Sequence, residues 1–350
     1  MSTRNDTRTA TRILLYVEQD YSFAILRPLQ DEARARGITV RWMVLPPADP
    51  GLLTGDETRV ADAADAVNYC PDLVFAPGDR VPGFIPGLKV QVFHGLNEDK
   101  RGNRYPERGL FDLYCTEGPQ RTRDLTETLQ GSQRYRVVET GWVKLDALLQ
   151  AKDSAARPAY ERPQVLFAST FTPKLSGATA LLPEIERLAA TGEWQWLITL
   201  HPKSDPAIIR SYQALAGPHL QYFGTEHVID LQHRADVMVS DNSSVLQEFM
   251  LLGKPVATYR NRDPHPAMID FSVPAELEPS VRAALTPDPD RQAELARYAE
   301  SITPWLDGRS AGRILDAAIT MLDEGWQNQK PANLLRNWRM RQQHRYYKFY

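Results

Sequence analysis

Short apolar runs alternate with amphipathic segments along nearly the whole chain, and this alternation restricts the fold more than any other feature. Residues 13–17, 39–45, 73–76, 89–93, 111–116 and the pair Val137-Val138 read as strands. Residues 23–36, 56–66 and 119–129 carry helical patterns between them. Pro28 suits the first of these helices only if it lies in the first turn. A second series has strands at 164–168, 195–200, 220–223, 237–239 and 256–259. Its helices are at 178–191, 206–214, 228–234, 245–252, 294–302 and 312–323. Strands that are apolar on both faces, each followed by a helix, demand a parallel sheet covered on both sides. The expected fold is α/β, with two Rossmann-like, doubly wound domains facing a central cleft. The halves share element order but no internal sequence repeat.

The polar stretch 152–162, broken by Pro158, reads as the linker between them. The expected divisions are a disordered lead-in at 1–12, a first domain at 13–155, a second at 156–325 and a basic aromatic tail at 326–350. No apolar run reaches the roughly 18–20 residues of a membrane helix. The N-terminus lacks a signal peptide pattern. Two cysteines, Cys70 and Cys115, make no disulfide framework or zinc motif, so a cytoplasmic location is expected. The net charge of −3 conceals an asymmetry: residues 326–350 hold six Lys/Arg and no Asp/Glu, leaving 35 basic against 44 acidic residues elsewhere. Leu334, Leu335, Trp338, Tyr346, Tyr347, Phe349 and Tyr350 interleave with those cations. The tail suits either an anionic membrane surface or a segment crossing back onto the first domain. Nucleic acid is disfavoured by the acidic body.

In doubly wound domains ligands bind beyond the carboxyl ends of the strands, so chemistry-bearing residues are sought there. The segment 235–255 is the richest such place. After its strand come Asp241 and Asn242, then Ser243 and Ser244 as natural N-caps, then a helix closed by Gly253 and Pro255. Hydroxyls and helix amides at a strand end make a seat for phosphate. His201-Pro202-Lys203 follows another strand and offers an imidazole and a cation. His94-Gly95 follows a first-domain strand and suits a general base. Ser169 and Thr170, with Lys174 nearby, end a further strand. Glu248 lies one helical turn beyond Ser244, where it can accept from ribose hydroxyls. Asp307 and Arg313 form a late polar cluster, Asp307 as a helix cap and the arginine toward the cleft. Asp288-Pro289-Asp290 reads as a solvated turn, and no metal or other cofactor is expected.

Together these residues resemble the CDP-glycerol glycerophosphotransferase family, the teichoic-acid type polymerases and primases of GT-B fold. The likeness rests on His201-Pro202-Lys203, on Ala235 to Ser244, on Lys254-Pro255 and Tyr259, and on His94-Gly95. Gly141 to Asp146 is similar to a Gly-x-Pro-Arg-x-Asp motif, with Val143-Lys144 in place of Pro-Arg. Asp307, Gly308 and Arg313 complete it. Residues 96–100 and Asn242 depart from the family pattern.

The resemblance implies transfer of glycerol phosphate from CDP-glycerol, or a similar CDP-alcohol, to a glycan or lipid-linked acceptor. Ser243 and Ser244 would hold the pyrophosphate, His201 and Lys203 would offset charge as CMP leaves, and His94 would deprotonate the acceptor. A cytoplasmic enzyme, peripheral on the inner face of the plasma membrane, follows. Three alternatives stand beside it: a glycosyltransferase using a nucleotide sugar, an inactive nucleotide-binding scaffold, and a nucleotide-sugar 2-epimerase. The last needs several cleft carboxylates, of which the first domain shows no clear set.

Overall fold

The computed structural model describes residues 11–96, 109–128, 134–154, 161–326, 329–330 and 333–348. Residues 1–10 of the expected lead-in, most of the loop after His94-Gly95, much of the linker and the terminal Phe349 and Tyr350 lie outside these residues, while Arg12, expected in the lead-in, opens the first strand. The chain forms two units: residues 1–147 with 303–350, and residues 148–302. The segment 303–325, expected in the second domain, therefore belongs with the first.

Unit 1 is built on β1 (Arg12–Val17), β2 (Thr39–Val44), β3 (Leu73–Ala76), β4 (Leu88–Gln91), β5 (Leu113–Thr116) and β6 (Arg136–Glu139). They form one sheet in the order β2-β1-β3-β4-β5-β6, and every pairing is parallel. Successive side chains of a strand point to opposite faces. Ile13, Leu15 and Val17 accordingly join one core, with Leu26 and Leu29 of α1 (Tyr21–Ala35) and Ile314 and Leu315 of α11 (Ser310–Asp323). Leu14 and Tyr16 join the other, with Ala66 of α2 (Ala63–Tyr69), Leu125 of α3 (Pro119–Thr128) and Met340 of α12 (Leu334–Gln343). The C-terminal arm thus packs on unit 1. The strand order reverses between β1 and β3, and their carboxyl ends frame a crevice.

The chain enters unit 2 through α4 (Val143–Ser154). Its sheet, in the order β12-β11-β10-β7-β8-β9, is also wholly parallel. The strands are β7 (Gln164–Ser169), β8 (Gln195–Leu200), β9 (Leu220–Tyr222), β10 (Val237–Ser240), β11 (Val256–Tyr259) and β12 (Met268–Phe271). One face is covered by α5 (Ala178–Thr191), α6 (Pro206–Ala214) and α9 (Leu277–Leu285). The other carries α7 (Val228–Arg234), α8 (Val245–Leu251) and α10 (Pro289–Ile302). Here the order reverses between β7 and β10.

Several local expectations are corrected. Residues 56–62 are not helical: Val60 N donates to the Trp42 carbonyl (2.8 Å) and Trp42 N to that of Thr58 (2.9 Å), so the chain runs along β2. Glu57 is fixed there by Arg27 (3.0 Å) and Gln30 (3.1 Å), and α2 starts only after Asp62, which caps the Asp65 amide (2.9 Å). Pro28 is the eighth residue of α1, well past the first turn. The buried side chains Phe23, Ile25, Leu26 and Leu29 hold the helix there despite one missing amide donor. Asp288 is a cap and no solvated turn: it accepts from Arg291 N (2.8 Å), with Pro289 opening α10. Lys254 closes α7, its Nζ donating to the carbonyls of Gln232 (2.7 Å), His233 (2.8 Å) and Ala235 (2.8 Å).

Candidate functional site

The carboxyl edge of unit 2 is organised by one buried carboxylate. Asp241, at the end of β10, accepts from the amides of Thr170 (2.9 Å), Gly177 (2.8 Å) and Asn242 (2.6 Å), and from the Ser169 hydroxyl. It ties the end of β7, the start of α5 and its own turn together at the point where strand order reverses. Burial lifts its carboxyl above the usual range, against the pull of these donors. Asn242, the departure from the resembled pattern, extends the network. Its Nδ2 donates to the carbonyls of Leu175 (3.2 Å) and Arg260 (3.3 Å), and its Oδ1 accepts from Arg262 N (3.0 Å). Asp241 and Ser169 are therefore frame rather than surface, and they hold the half-buried Ser243 and Ser244 in place. Ser244 sits at the N-cap of α8 without a side-chain cap bond, contrary to expectation.

At the end of β8, on the far side of β7 from this turn, His201 Nδ1 accepts from Lys203 N (3.0 Å), which leaves the proton of a neutral ring on Nε2. Phe171, 41% exposed, lies 4.5 Å from the His201 ring between centroids, and Lys203 Nζ is 5.8 Å from the same phenyl ring. Thr170 is buried, Lys174 exposed. Glu248 is buried at 5% exposure and accepts from Gln232 Nε2 of α7 (3.0 Å). The expected sites at Ser169, Thr170, Lys174, His201, Lys203, Asp241, Ser243 and Ser244 thus share one edge of unit 2, while Glu248 faces α7.

In unit 1 the crevice between β1 and β3 is a pocket of about 290 Å³ lined by Tyr16, Glu18, Gln19, Tyr21, Ser22, Pro77, Gly78, Asp79, Arg80 and His94. His94 arrives from the end of β4. Phe93 just before it has φ of 54°, a strained left-handed conformation for a bulky residue. Arg121 supports the turn: its guanidinium stands 4.3 Å over the Phe93 ring, donates to the Gly95 carbonyl (2.8 Å) and pairs with Glu117 (2.7 Å). Gly95 therefore serves as an anchor of the turn. The His94 ring stacks on Tyr21 at 5.4 Å, and Nδ1 lies 3.2 Å from the Pro77 carbonyl. An Nδ1–H donated to that carbonyl leaves the basic lone pair on Nε2.

Sequence reasoning missed Glu18, Asp79 and Arg80. Glu18 directly follows β1, so the strand-end rule that selected His94 would have selected it; Asp79 and Arg80 lie three and four residues past the end of β3, within the same loop.

Asp307 and Arg313 go elsewhere. Arg313 grips Asp307 through two bonds (2.8 and 2.9 Å) and the Thr140 carbonyl through a third (2.7 Å). The cap of α11 is Asp146, which accepts from the amides of Ser310 (3.0 Å) and Ala311 (2.7 Å). At Gly141, φ is 83° and a Cβ would fall 2.9 Å from that of Trp305. Gly141, Asp146, Asp307 and Arg313 form a clasp that pins the returning chain to unit 1. Asp307 does not cap the helix, and its arginine is spent on the clasp.

The profile of the UDP-N-acetylglucosamine 2-epimerase family matches residues 108–319, more than half of the chain. The chain belongs to that family. A protein of Clostridium acetobutylicum provisionally named UDP-N-acetylglucosamine 2-epimerase is 21% identical over 302 residues, 76% of this chain and 78% of its own. Among solved structures, UDP-GlcNAc 2-epimerase from Neisseria meningitidis bound to UDP-GlcNAc superposes with a TM-score of 0.61 at 14% identity, covering 89% of this chain and 100% of that one. The wall teichoic acid polymerase TagF gives 0.67 at 13% identity, covering 91% and 90%.

Family membership overturns the expected CDP-glycerol transfer, and with it the CDP-alcohol donor, the lipid-linked acceptor and the teichoic-acid role. The reason is physical. Both kinds of structure share the two-sheet fold, and a polar turn between a strand end and the next helix belongs to that fold. The resembled motifs therefore report architecture, and the carboxylates that the epimerase alternative needs, Glu18 and Asp79, line the unit 1 pocket. Of the tail's apolar residues, Met340 and Tyr346 are buried in unit 1, whereas Leu334, Leu335, Trp338 and Tyr347 are exposed. No helix among the described residues is long and apolar enough to cross a membrane.

Proposed function

We propose that this chain inverts C2 of a UDP-linked 2-acetamido sugar, with UDP-N-acetylglucosamine as substrate. The observation that carries the reading is the unit 1 pocket, where Glu18, Asp79 and His94 line one crevice. Inversion at carbon requires one group to take a proton and another to return it from the opposite face. C2 of such a sugar is not next to a carbonyl, so its proton is weakly acidic. It departs when the C2–H electron pair forms a C1–C2 double bond and the C1–O bond breaks, its electrons leaving with UDP. Return of UDP to C1 and of a proton to the other face of C2 completes the inversion. Glu18, Asp79 and His94 are the proposed proton-handling set.

The leaving diphosphate is assigned to unit 2. His201 Nε2–H, Lys203, Lys174 and the hydroxyls of Ser243 and Ser244 would offset its charge. Asp241, Ser169 and the Thr170 amide keep that edge in shape. Glu248, its carboxylate oriented by Gln232, is proposed to receive ribose hydroxyls.

The test is incubation of the protein with UDP-N-acetylglucosamine in D2O, followed by proton NMR. Deuterium at C2 and a second, C2-epimeric product are expected. CDP-glycerol should be left intact. His94→Ala and His201→Ala should each slow exchange by about 10². Binding of UDP without any C2 exchange would reject the proposal.

A further inference from the structure

Tyr16, at the end of β1, is one wall of the unit 1 pocket, and a residue from the far end of the chain stands behind it. The Tyr16 hydroxyl donates its one hydrogen to Glu18 Oε1 (3.1 Å). His344 Nε2 lies 3.4 Å from the same hydroxyl oxygen. Since that hydrogen is already given to Glu18, the imidazole must be the donor in this second contact. Arg80 Nη2 stands 3.5 Å from the same Glu18 oxygen. The carboxylate is thus approached by a hydroxyl whose direction is set by the imidazole and by a guanidinium.

His344 follows α12, beyond residues 108–319 that match the family. The arm is held to unit 1 independently of this contact. Tyr346 stacks on Phe84 at 4.9 Å, and Arg341 stands 4.9 Å over the same Phe84 ring. Arg336 donates to the Gly109 carbonyl (3.2 Å), and Lys330 pairs with buried Asp112. With so many anchors, the imidazole is not needed to dock the arm. Burial, and then Arg80, hold its pKa below the ordinary histidine value, so it is neutral at physiological pH with its proton on Nε2.

We infer that His344 is a positioning residue for the proton chemistry of unit 1: it fixes the Tyr16 hydroxyl, which in turn orients Glu18 for the sugar carbon. This rests on the proposed function for its kinetic readout. Loss of the imidazole frees the hydroxyl to rotate, and Glu18 loses its directed donor. Misplacement of a reacting group on this scale costs turnover rather than ground-state binding.

The experiment compares wild type with His344→Ala, His344→Gln, Tyr16→Phe and the double variant Tyr16→Phe/His344→Ala. His344→Ala is expected to lower kcat for C2 exchange about tenfold, with KM and the Kd for UDP within about twofold. His344→Gln, which keeps an amide donor, should recover most of the loss. The double variant should be no slower than Tyr16→Phe, because both act through one hydroxyl. Wild-type kcat in His344→Ala, or additive losses in the double variant, would overturn the inference. Nitrogen-15 NMR of the His344 ring reads the same contact without turnover. An Nε2–H tautomer whose shift moves in Tyr16→Phe supports it, and an Nδ1–H tautomer overturns it. A wild-type protein that catalyses no exchange therefore rejects the proposed function and the sugar-directed role of Glu18, and the tautomer still decides whether His344 fixes the Tyr16 hydroxyl.

Discussion

Asp241 shows what a single buried carboxylate does at a strand end. Four donors converge on it from three chain segments, and Asp241 itself is fully buried, so its removal leaves the amides of Thr170, Gly177 and Asn242 without this acceptor, while the Ser169 hydroxyl can turn to Ser176 (2.8 Å). An unsatisfied buried donor costs about 1–3 kcal/mol, and several together are not fully additive. Asp241→Ala should therefore lose at least about 3 kcal/mol of unfolding free energy in urea, and UDP binding with it. A variant as stable as wild type would mean that the β7–α5 loop is held by something else. Sequence alone presented Asp241 as a ligand because it lies beside Ser243 and Ser244. It could not show that Thr170 and Gly177, some 70 residues away in the chain, would spend its oxygens first.

Elements were most legible where period and punctuation agreed. Residues 178–191, 195–200, 206–214, 228–234 and 256–259 are elements as expected. There the apolar period and the flanking Gly, Pro or Asp point the same way. Residues 56–66 misled because Asp and Glu spacing mimics a helix, whereas Glu57 is recruited by Arg27 and Gln30. α4, β12 and α9 were missed, and their placement depends on packing partners elsewhere in the sequence.

The clasp belongs at this scale too. The Arg313 guanidinium holds the Asp307 carboxyl below the usual carboxylate range. A depressed carboxylate contributes stability above its unfolded pKa near 4, and that contribution is lost as pH falls through the lower folded value. The pair is partly exposed, so screening limits it to about 1 kcal/mol. Asp307→Asn should melt lower than wild type at pH 7, and the gap should close as the pH falls below about 4. A gap that persists at pH 2 would assign the loss to something other than this ion pair.

At the scale of the whole molecule, unit 1 is discontinuous: it needs residues 303–350 as well as 1–147. A chain stopped at residue 325, the domain limit expected from composition, would uncover the core around Met340 and Tyr346 and leave Asp112 without Lys330. Its calorimetric unfolding should show a lowered transition for unit 1 and an unchanged one for unit 2. Equal midpoints for the truncated and full chains would mean that the arm adds nothing to the first core.

By itself the sequence determined two parallel sheets, because apolar strands separated by helices have no other way to bury both faces. It also determined where chemistry is to be sought, since the residue after each strand is fixed by chain order. Tertiary structure alone decided which of those residues meet. Glu18, Asp79 and His94 are far apart in sequence and share a pocket because β1, β3 and β4 lie side by side. His344 joins them only because an arm 328 residues beyond Tyr16 folds back onto the same unit. Strand order and chain return are set by the packing of the whole core, which no local window of sequence contains.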